Sequence, residues 1–160
     1  MVAAITIPAR AGFDAVNNPG AVRCHHAKHF DGLANPPFTG GFCNFRNVSL
    51  GVAAIAKVLR TYYLTHDLRT AEKIISRYAP PHENRTDRYI IHFASGLGVM
   101  ADEVFPLLEW GYMKRAVKLI IEYENVGPFP TEAQIDLGLT LAGIKRGPTR
   151  QSQVPMREAA

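Results

Sequence analysis

The stretch R-Y-A-P-P-H-E-N-R-T-D-R-Y, Arg77 to Tyr89, sets two adjacent prolines between two runs of helical periodicity. Neither Pro80 nor Pro81 has an N–H to donate, and each pushes its predecessor out of the α region, so the preceding helix is predicted to end there. Glu83 and Asn84 then fall on a short, stiff connection. Thr86 or Asn84 is placed to cap the helix that follows, which carries Tyr89, Ile90, Phe93, Ala94 and Leu97 at helical spacing. A polar corner between two helices points to a mainly α chain. It is either a plain turn with a capping carboxylate or a functional loop, because stiff polar connections serve both ends.

Working outward, Val52, Ile55, Ala56 and Leu59 with Tyr62 or Tyr63 recur at i, i+3, i+4 and i+7. They predict a helix from Val48, with Asn47 or Ser49 as its cap. A shorter helix is expected over Thr70 to Tyr78, and the helix after the corner is expected to close at Gly96 and Gly98. Asp102 to Trp110 reads as a short helix interrupted by Pro106, followed by a long one from Met113 to Glu124, with the break near Gly111. Thr131 and Gln134 form a capping-box signature for a last helix through Ile135, Leu139 and Ala142. Before Phe45 the chain has frequent Gly and Pro and no sustained period, so an ordered loop is expected, with one short hairpin around Gly40-Gly41 in Phe38 to Phe45.

At 160 residues the chain is about one domain by length, enough to bury a core without metal or disulfide support. Residues 1–144 are expected to form that domain. Residues 145–160 read as a basic, proline-containing tail that docks on a partner, with Lys145, Arg146, Arg150 and Arg157 against Glu158. The net charge of +4 contains no block of consecutive basic residues, and no nucleic-acid motif is present. Cys24 and Cys43 are too few for a disulfide scaffold and are either free thiols or one bridge. No apolar run reaches the roughly 18 to 20 residues a membrane span needs, and the start lacks the basic and apolar regions of a signal peptide.

Three pieces in order carry a resemblance: N-N-P-G-A-V-R at Asn17 to Arg23, G-F-C-N-F-R-N-V-S-L-G-V-A-A at Gly41 to Ala54, and I-I-S-R-Y-A-P-P-H-E-N-R-T-D-R-Y at Ile74 to Tyr89. Together they resemble a family of small phage and prophage virion proteins, and I-I-E-Y-E-N and T-E-A-Q-I-D-L-G extend the likeness to about Ala142. That pattern is more distantly similar to lysozyme-like glucosaminidases. The resemblance implies a small, mostly helical lysozyme-like domain. In those enzymes the N-N segment, to which Asn17, Asn18 and Gly20 would correspond, precedes a helix, and a later segment, to which Tyr78, Ala79 and Tyr89 would correspond, contacts glycan. Those enzymes place a catalytic Glu on a helix upstream of the N-N segment. Here only Asp14 stands upstream, and the first Glu in the sequence is Glu72.

Glycoside hydrolysis needs a protonated carboxyl at the leaving oxygen, usually with a second carboxylate roughly 5 to 9 Å away. Glu83 is the candidate acid, with Asp87 near in sequence and Asp14 able to approach from the N-terminal segment. Desolvation against Tyr78 and Tyr89 would raise the Glu83 pKa as acid catalysis requires, whereas a solvent-facing or capping Glu83 would titrate normally. Asn17, Asn18, Tyr78, Asn84 and Tyr89 are the candidate substrate-binding residues. Cys24, His25, His26, His29 and Cys43 have zinc-ligand chemistry but no standard finger spacing, so a loop histidine cluster is the ordinary reading. Neither a metal nor a cofactor is expected.

Two functions follow. One is a structural virion protein, made in the host cytoplasm and assembled with copies of itself or other virion proteins, with a peptidoglycan-processing role during entry. The other is an active peptidoglycan glycosidase or lytic transglycosylase, and a domesticated prophage protein is a variant of either. In both, Asn17 or Asn18 is expected to bond backbone near the A-P-P-H-E-N corner.

Overall fold

The computed structural model describes residues 15–24, 30–82, 84–125 and 127–147. Among these the chain is mainly α, with five helices and one two-stranded antiparallel sheet. Strand β1 (Leu33–Thr39) turns through Gly40-Gly41 into β2 (Phe42–Phe45), with Thr39 opposite Phe42. Both turn residues have positive φ, 58° and 83°. Such a two-residue reversal needs this geometry, and glycine adopts it without the Cβ penalty. The hairpin starts earlier than the sequence indicates, at Leu33, and its register is irregular between Leu33 and Phe38. Pro36 and Pro37 supply no N–H there, which explains why periodicity did not reveal the strand.

Helix α1 (Val48–Leu64) is capped by Asn47, whose side chain accepts from the Leu50 N–H at 3.0 Å. Its Val52 to Ala56 stretch is almost wholly buried, with Ile55 and Leu59 inaccessible to solvent. Full burial of such side chains contributes roughly 1.5–3 kcal/mol each. Glycines fix how closely α1 is approached. A Cβ on Gly51 would collide with the Asn17 carbonyl oxygen, and one on Gly138 would meet Val52 and the Ser49 carbonyl. The loop at 17–20 therefore presses on α1 at Gly51, and α5 (Glu132–Leu141) presses on it at Gly138.

Helix α2 (Ala71–Tyr78) is capped by Thr70, with Glu72 in its first turn and Arg77 in its last, the arrangement its dipole favours. Pro80 and Pro81 stop it as expected. Helix α3 (Thr86–Leu97), however, takes Arg85 as N-cap with no side-chain cap bond. The two expected caps are used elsewhere: Thr86 Oγ1 donates to the Ala79 carbonyl at 2.5 Å, and Asn84 Nδ2 donates to the Pro80 carbonyl at 3.4 Å. The end of α2 leaves carbonyls without helical partners, and these two side chains satisfy them, closing the corner instead of starting the helix. Gly98, left-handed at φ 71°, ends α3 as predicted. Gly96 does not: it lies within the helix, where a Cβ would strike Leu119 of α4 (Trp110–Glu124).

The short helix expected over Asp102 to Trp110 is absent. Val104 bridges Thr70 and the Phe105 N–H donates to the Arg69 carbonyl at 3.4 Å, while Phe105 and Leu107 are buried. With Pro106 unable to donate, pairing to the α2 entrance supplies the partners that a helical turn would have lacked. Helix α4 begins at once at Trp110 and carries Gly111 in its first turn, so the expected break is not there either. The capping box of α5 forms in full, Thr131 Oγ1 accepting from the Gln134 N–H and Gln134 Oε1 from the Thr131 N–H. Cys24 and Cys43 are free and buried. Burial first, and then the neighbouring Cys24 thiol, push the Cys43 pKa far up, so it remains a thiol. None of the described helices is long and apolar enough to cross a membrane.

Charges lock α4 to α5. Glu132 meets Lys114 at 2.8 Å and Lys118 at 2.5 Å, while Asp136 meets Lys114 at 2.7 Å and Arg146 at 3.0 Å. The lysine hydrogen bonds hold the Glu132 pKa at about 2, below its ordinary 4.5. A depressed carboxylate stabilises the fold above its unfolded pKa and loses that effect as pH falls through its folded one. The Tm advantage of wild type over Glu132→Gln is thus expected in full at pH 7, to fade from about 4.5 and to vanish near pH 2. Because Glu132 is exposed, 1 M salt is expected to shrink the difference at pH 7. A second expectation concerns packing: Gly51→Ala forces the α1 Cβ onto backbone and is expected to destabilise by about 1–3 kcal/mol, read as a lower urea midpoint at unchanged m.

Candidate functional site

The segment at 15–24 is buried yet makes little regular structure, so its backbone groups need partners from elsewhere. Asparagine carboxamides supply them. Asn18 Oδ1 accepts from the Val22 N–H at 2.8 Å, and its Nδ2 donates to the Val22 and Cys43 carbonyls, both at 2.9 Å. Asn17, at φ 54° in the left-handed region that Asn tolerates, donates from Nδ2 to the Phe45 carbonyl at 3.0 Å. Asn44 Oδ1 accepts from the Val16 N–H at 2.9 Å. The N-N-P-G segment is thereby sewn onto β2.

Among the described residues, Asn17 and Asn18 therefore do not bond to the A-P-P-H-E-N corner. Their amides are spent on Val22 and on the Cys43 and Phe45 carbonyls of the hairpin. The turn reaches the end of α2 through its backbone instead: Tyr78 Oη donates to the Gly20 carbonyl at 2.6 Å. Gly20 is needed there because a Cβ would meet both Ile55 and that hydroxyl. From the other side, Asn125 Nδ2 donates to the Pro19 carbonyl and to the Ile121 carbonyl. Turn, α2 and the end of α4 thus converge on Pro19-Gly20.

Tyr89 joins this point from α3. It is wholly buried and its ring stacks on Tyr123 at 3.8 Å between centroids. Glu124 stands against both phenols. Burial first, and then the Glu124 charge, push the Tyr78 and Tyr89 pKa values well above their ordinary range. Both hydroxyls stay protonated and available as donors across the physiological range. At the end of α4, Asn125 Oδ1 is buried without a hydrogen bond.

Of the candidate residues from sequence, Asn17, Asn18, Tyr78 and Tyr89 surround this junction, whereas Asn84 closes the corner through Pro80. Glu83 lies outside the described residues, as do Asp14, His25, His26 and His29. Among the described residues no group of three His, Cys, Asp or Glu side chains could hold a metal. Sequence reasoning missed Glu124 and Asn125. Their only signal was an Asn following the last helical residue in I-I-E-Y-E-N, a place where a carboxamide can meet orphan carbonyls.

No protein-family model matches the chain. It is 37% identical over 89 residues to "Protein P5" of Pseudoalteromonas phage PM2, an alignment covering 52% of this chain and 51% of that protein. The relative is a phage protein. The chain spans about half the length of the curated relative it matches, and the expected kinship with phage proteins is met at that level.

The carboxamide frame makes a direct prediction. Asn18→Ala strands the Val22 N–H and two carbonyls in the interior and is expected to cost about 3 kcal/mol or more. Tyr78→Phe removes a single donor to Gly20 and is expected to cost about 1 kcal/mol. Urea unfolding followed by circular dichroism ranks the two; a smaller loss for Asn18→Ala than for Tyr78→Phe would contradict the frame.

Proposed function

We propose that this chain is a virion-associated structural protein of a phage. Its lysozyme-like helical domain, residues 1–144, has a peptidoglycan-processing role during entry, and its basic tail, 145–160, docks on other virion proteins or on copies of itself. The observation that carries the reading is the 37% identity to a phage protein over half of the chain. The ordered N-N-P-G and A-P-P-H-E-N motifs support the glycan part, because Tyr78, the residue before the second motif, donates to Gly20 of the first. An active glycosidase is the second reading, favoured by Glu83 in the corner and by aromatic hydroxyls close to a carboxylate.

Purified particles separate the first question. The protein is expected to co-sediment with intact virions and to resist a high-salt wash; its recovery only in the soluble host fraction would remove the virion assignment. A zymogram of wild type beside Glu83→Gln addresses the second. The substitution keeps the shape and an acceptor oxygen but removes the transferable proton, so a general acid at Glu83 loses roughly 10² or more in rate. A purely structural role, in which the same fold has lost catalysis, expects little or no clearing by either, and is favoured by the absence of a Glu upstream of the N-N segment. Clearing by wild type alone would establish the glycosidase, and equal clearing by both would exclude Glu83 as its acid.

A further inference from the structure

The C-terminal part of α1 and the exposed face of α2 carry a concentration of positive charge that the junction at Gly20 does not use. Arg60, Arg69, Lys73 and Arg77 stand there against Asp67 and Glu72, in a chain whose whole formal charge is +4. All four cations are exposed. Two of them are held in place. The Arg69 guanidinium lies 4.6 Å from the Tyr63 ring centroid and donates to Asp67 at 2.5 Å, and the Arg77 guanidinium lies 5.4 Å from the Tyr62 centroid. Arg77 also reaches the Tyr62 hydroxyl, whose pKa burial raises and this cation draws back down. Lys73 and Arg77 are about one turn apart on α2, which sets them roughly 6 Å apart along the helix axis. Arg69 stands four residues before Lys73, just outside the Thr70 cap, and Arg60 lies one turn before Tyr63. Among the described residues, Arg60, Lys73 and Arg77 form no ion pair.

Such a surface suits a polymer of regularly spaced anions. Between residues 60 and 78 Leu64 is the only large apolar side chain that is exposed, because α2 turns Ala71, Ile74 and Ile75 inward and leaves Glu72, Lys73 and Arg77 outside. A lipid surface takes in a broad apolar face and a protein partner needs an apolar centre, and this patch offers neither. A phosphate backbone needs only cations placed at intervals, and the planar fork of arginine matches phosphate bidentately. Holding Arg69 and Arg77 on tyrosine before binding lowers the entropy lost on contact. It also occupies the tyrosine faces with guanidinium, so bases have no aromatic platform there and recognition falls to phosphate and sugar, without sequence preference. We infer that Arg60, Arg69, Lys73 and Arg77 form a nucleic-acid-binding surface on α1 and α2, directed at the phosphate backbone and independent of sequence. This goes beyond the proposed function and holds whichever role Glu83 has.

The test is fluorescence anisotropy of labelled DNA duplexes titrated with the full chain. Two duplexes of unrelated sequence are expected to bind equally, with Kd of about 10⁻⁶ to 10⁻⁴ M near physiological salt, the range of sequence-independent contact. Four phosphate contacts require the affinity to fall roughly 10²-fold between about 50 and 200 mM salt. Lys73→Gln removes an exposed cation that pairs with no acid, so the Tm is expected to hold while binding weakens several-fold and the salt slope drops by about one. Arg69→Gln, Lys73→Gln and Arg77→Gln combined are expected to abolish binding. Arg46→Gln, beside the opposite end of α1, is expected to bind as wild type does. No binding by wild type at low salt overturns the surface, and so does a combined variant that binds as wild type, because the attraction then comes from elsewhere on the chain. An Arg46→Gln loss as large as that of Lys73→Gln would mean diffuse attraction and refute it too. Where the combined variant does not fold, Lys73→Gln decides alone: unchanged affinity and slope reject the surface. Stronger competition, charge for charge, by phosphatidylglycerol vesicles or polyglutamate than by unlabelled duplex would replace nucleic acid with a lipid or an acidic protein and overturn the inference. Virion fractionation and the zymogram judge the proposed function separately.

Discussion

Everything around the candidate site depends on how an irregular segment is kept in the interior. A helix or strand satisfies its own backbone; the stretch at 15–24 cannot, and each buried N–H or carbonyl left alone would cost roughly 1–3 kcal/mol. Asparagine solves this because a carboxamide carries the same donor and acceptor as a peptide group on a short side chain. Asn18 alone satisfies three backbone groups, and Asn17, Asn44 and Asn125 add others on the hairpin and α4 sides. The turn can then press on α1 at Gly51 and receive Tyr78 at Gly20.

The same economy explains why the polar corner after α2 looks different in three dimensions from its sequence. Thr86 and Asn84 have the right chemistry to cap α3, and local reasoning assigns them to it. In the folded chain the unpaired carbonyls of Ala79 and Pro80 compete for the same donors and win, so α3 begins without a side-chain cap. Much of α3 packing falls instead to Tyr89 and Phe93, both fully buried, and to the close approach at Gly96. Stability lies in tertiary contact there, as is usual for short helices.

Charge and polarity are divided between two ends of α4. At its N-terminal half, Lys114 and Lys118 face the acids of α5 in an exposed network that salt and acid can weaken. At its C-terminal end, Glu124 stands beside buried phenols, where the low dielectric makes each interaction stronger and each unmet bond more costly. The first arrangement reads as a clip between helices. The second is held by burial and by the stacking of Tyr89 on Tyr123.

The sequence by itself determined the mainly α class, helix boundaries at Thr70 and Thr131, a first cap at Asn47 or Ser49, an α3 end at Gly96 to Gly98, the stop at Pro80-Pro81 and the reversal at Gly40-Gly41. These are short-range matters of capping, missing N–H groups and backbone freedom, each decided within a few residues. Apolar periodicity likewise exposed the core faces of α1, α4 and α5. Tertiary structure decided the rest. Only the folded chain denies 102–110 a helix by pairing Val104 with Thr70, makes Gly96 a packing residue and turns Asn17 and Asn18 toward the hairpin. It also brings Glu124 to Tyr78 and Tyr89 across more than thirty residues of chain, and Asn125 to Pro19. Hydrogen-bond partners and desolvation are properties of neighbours in space, and a buried loop takes its neighbours from distant elements, so no local pattern announces them.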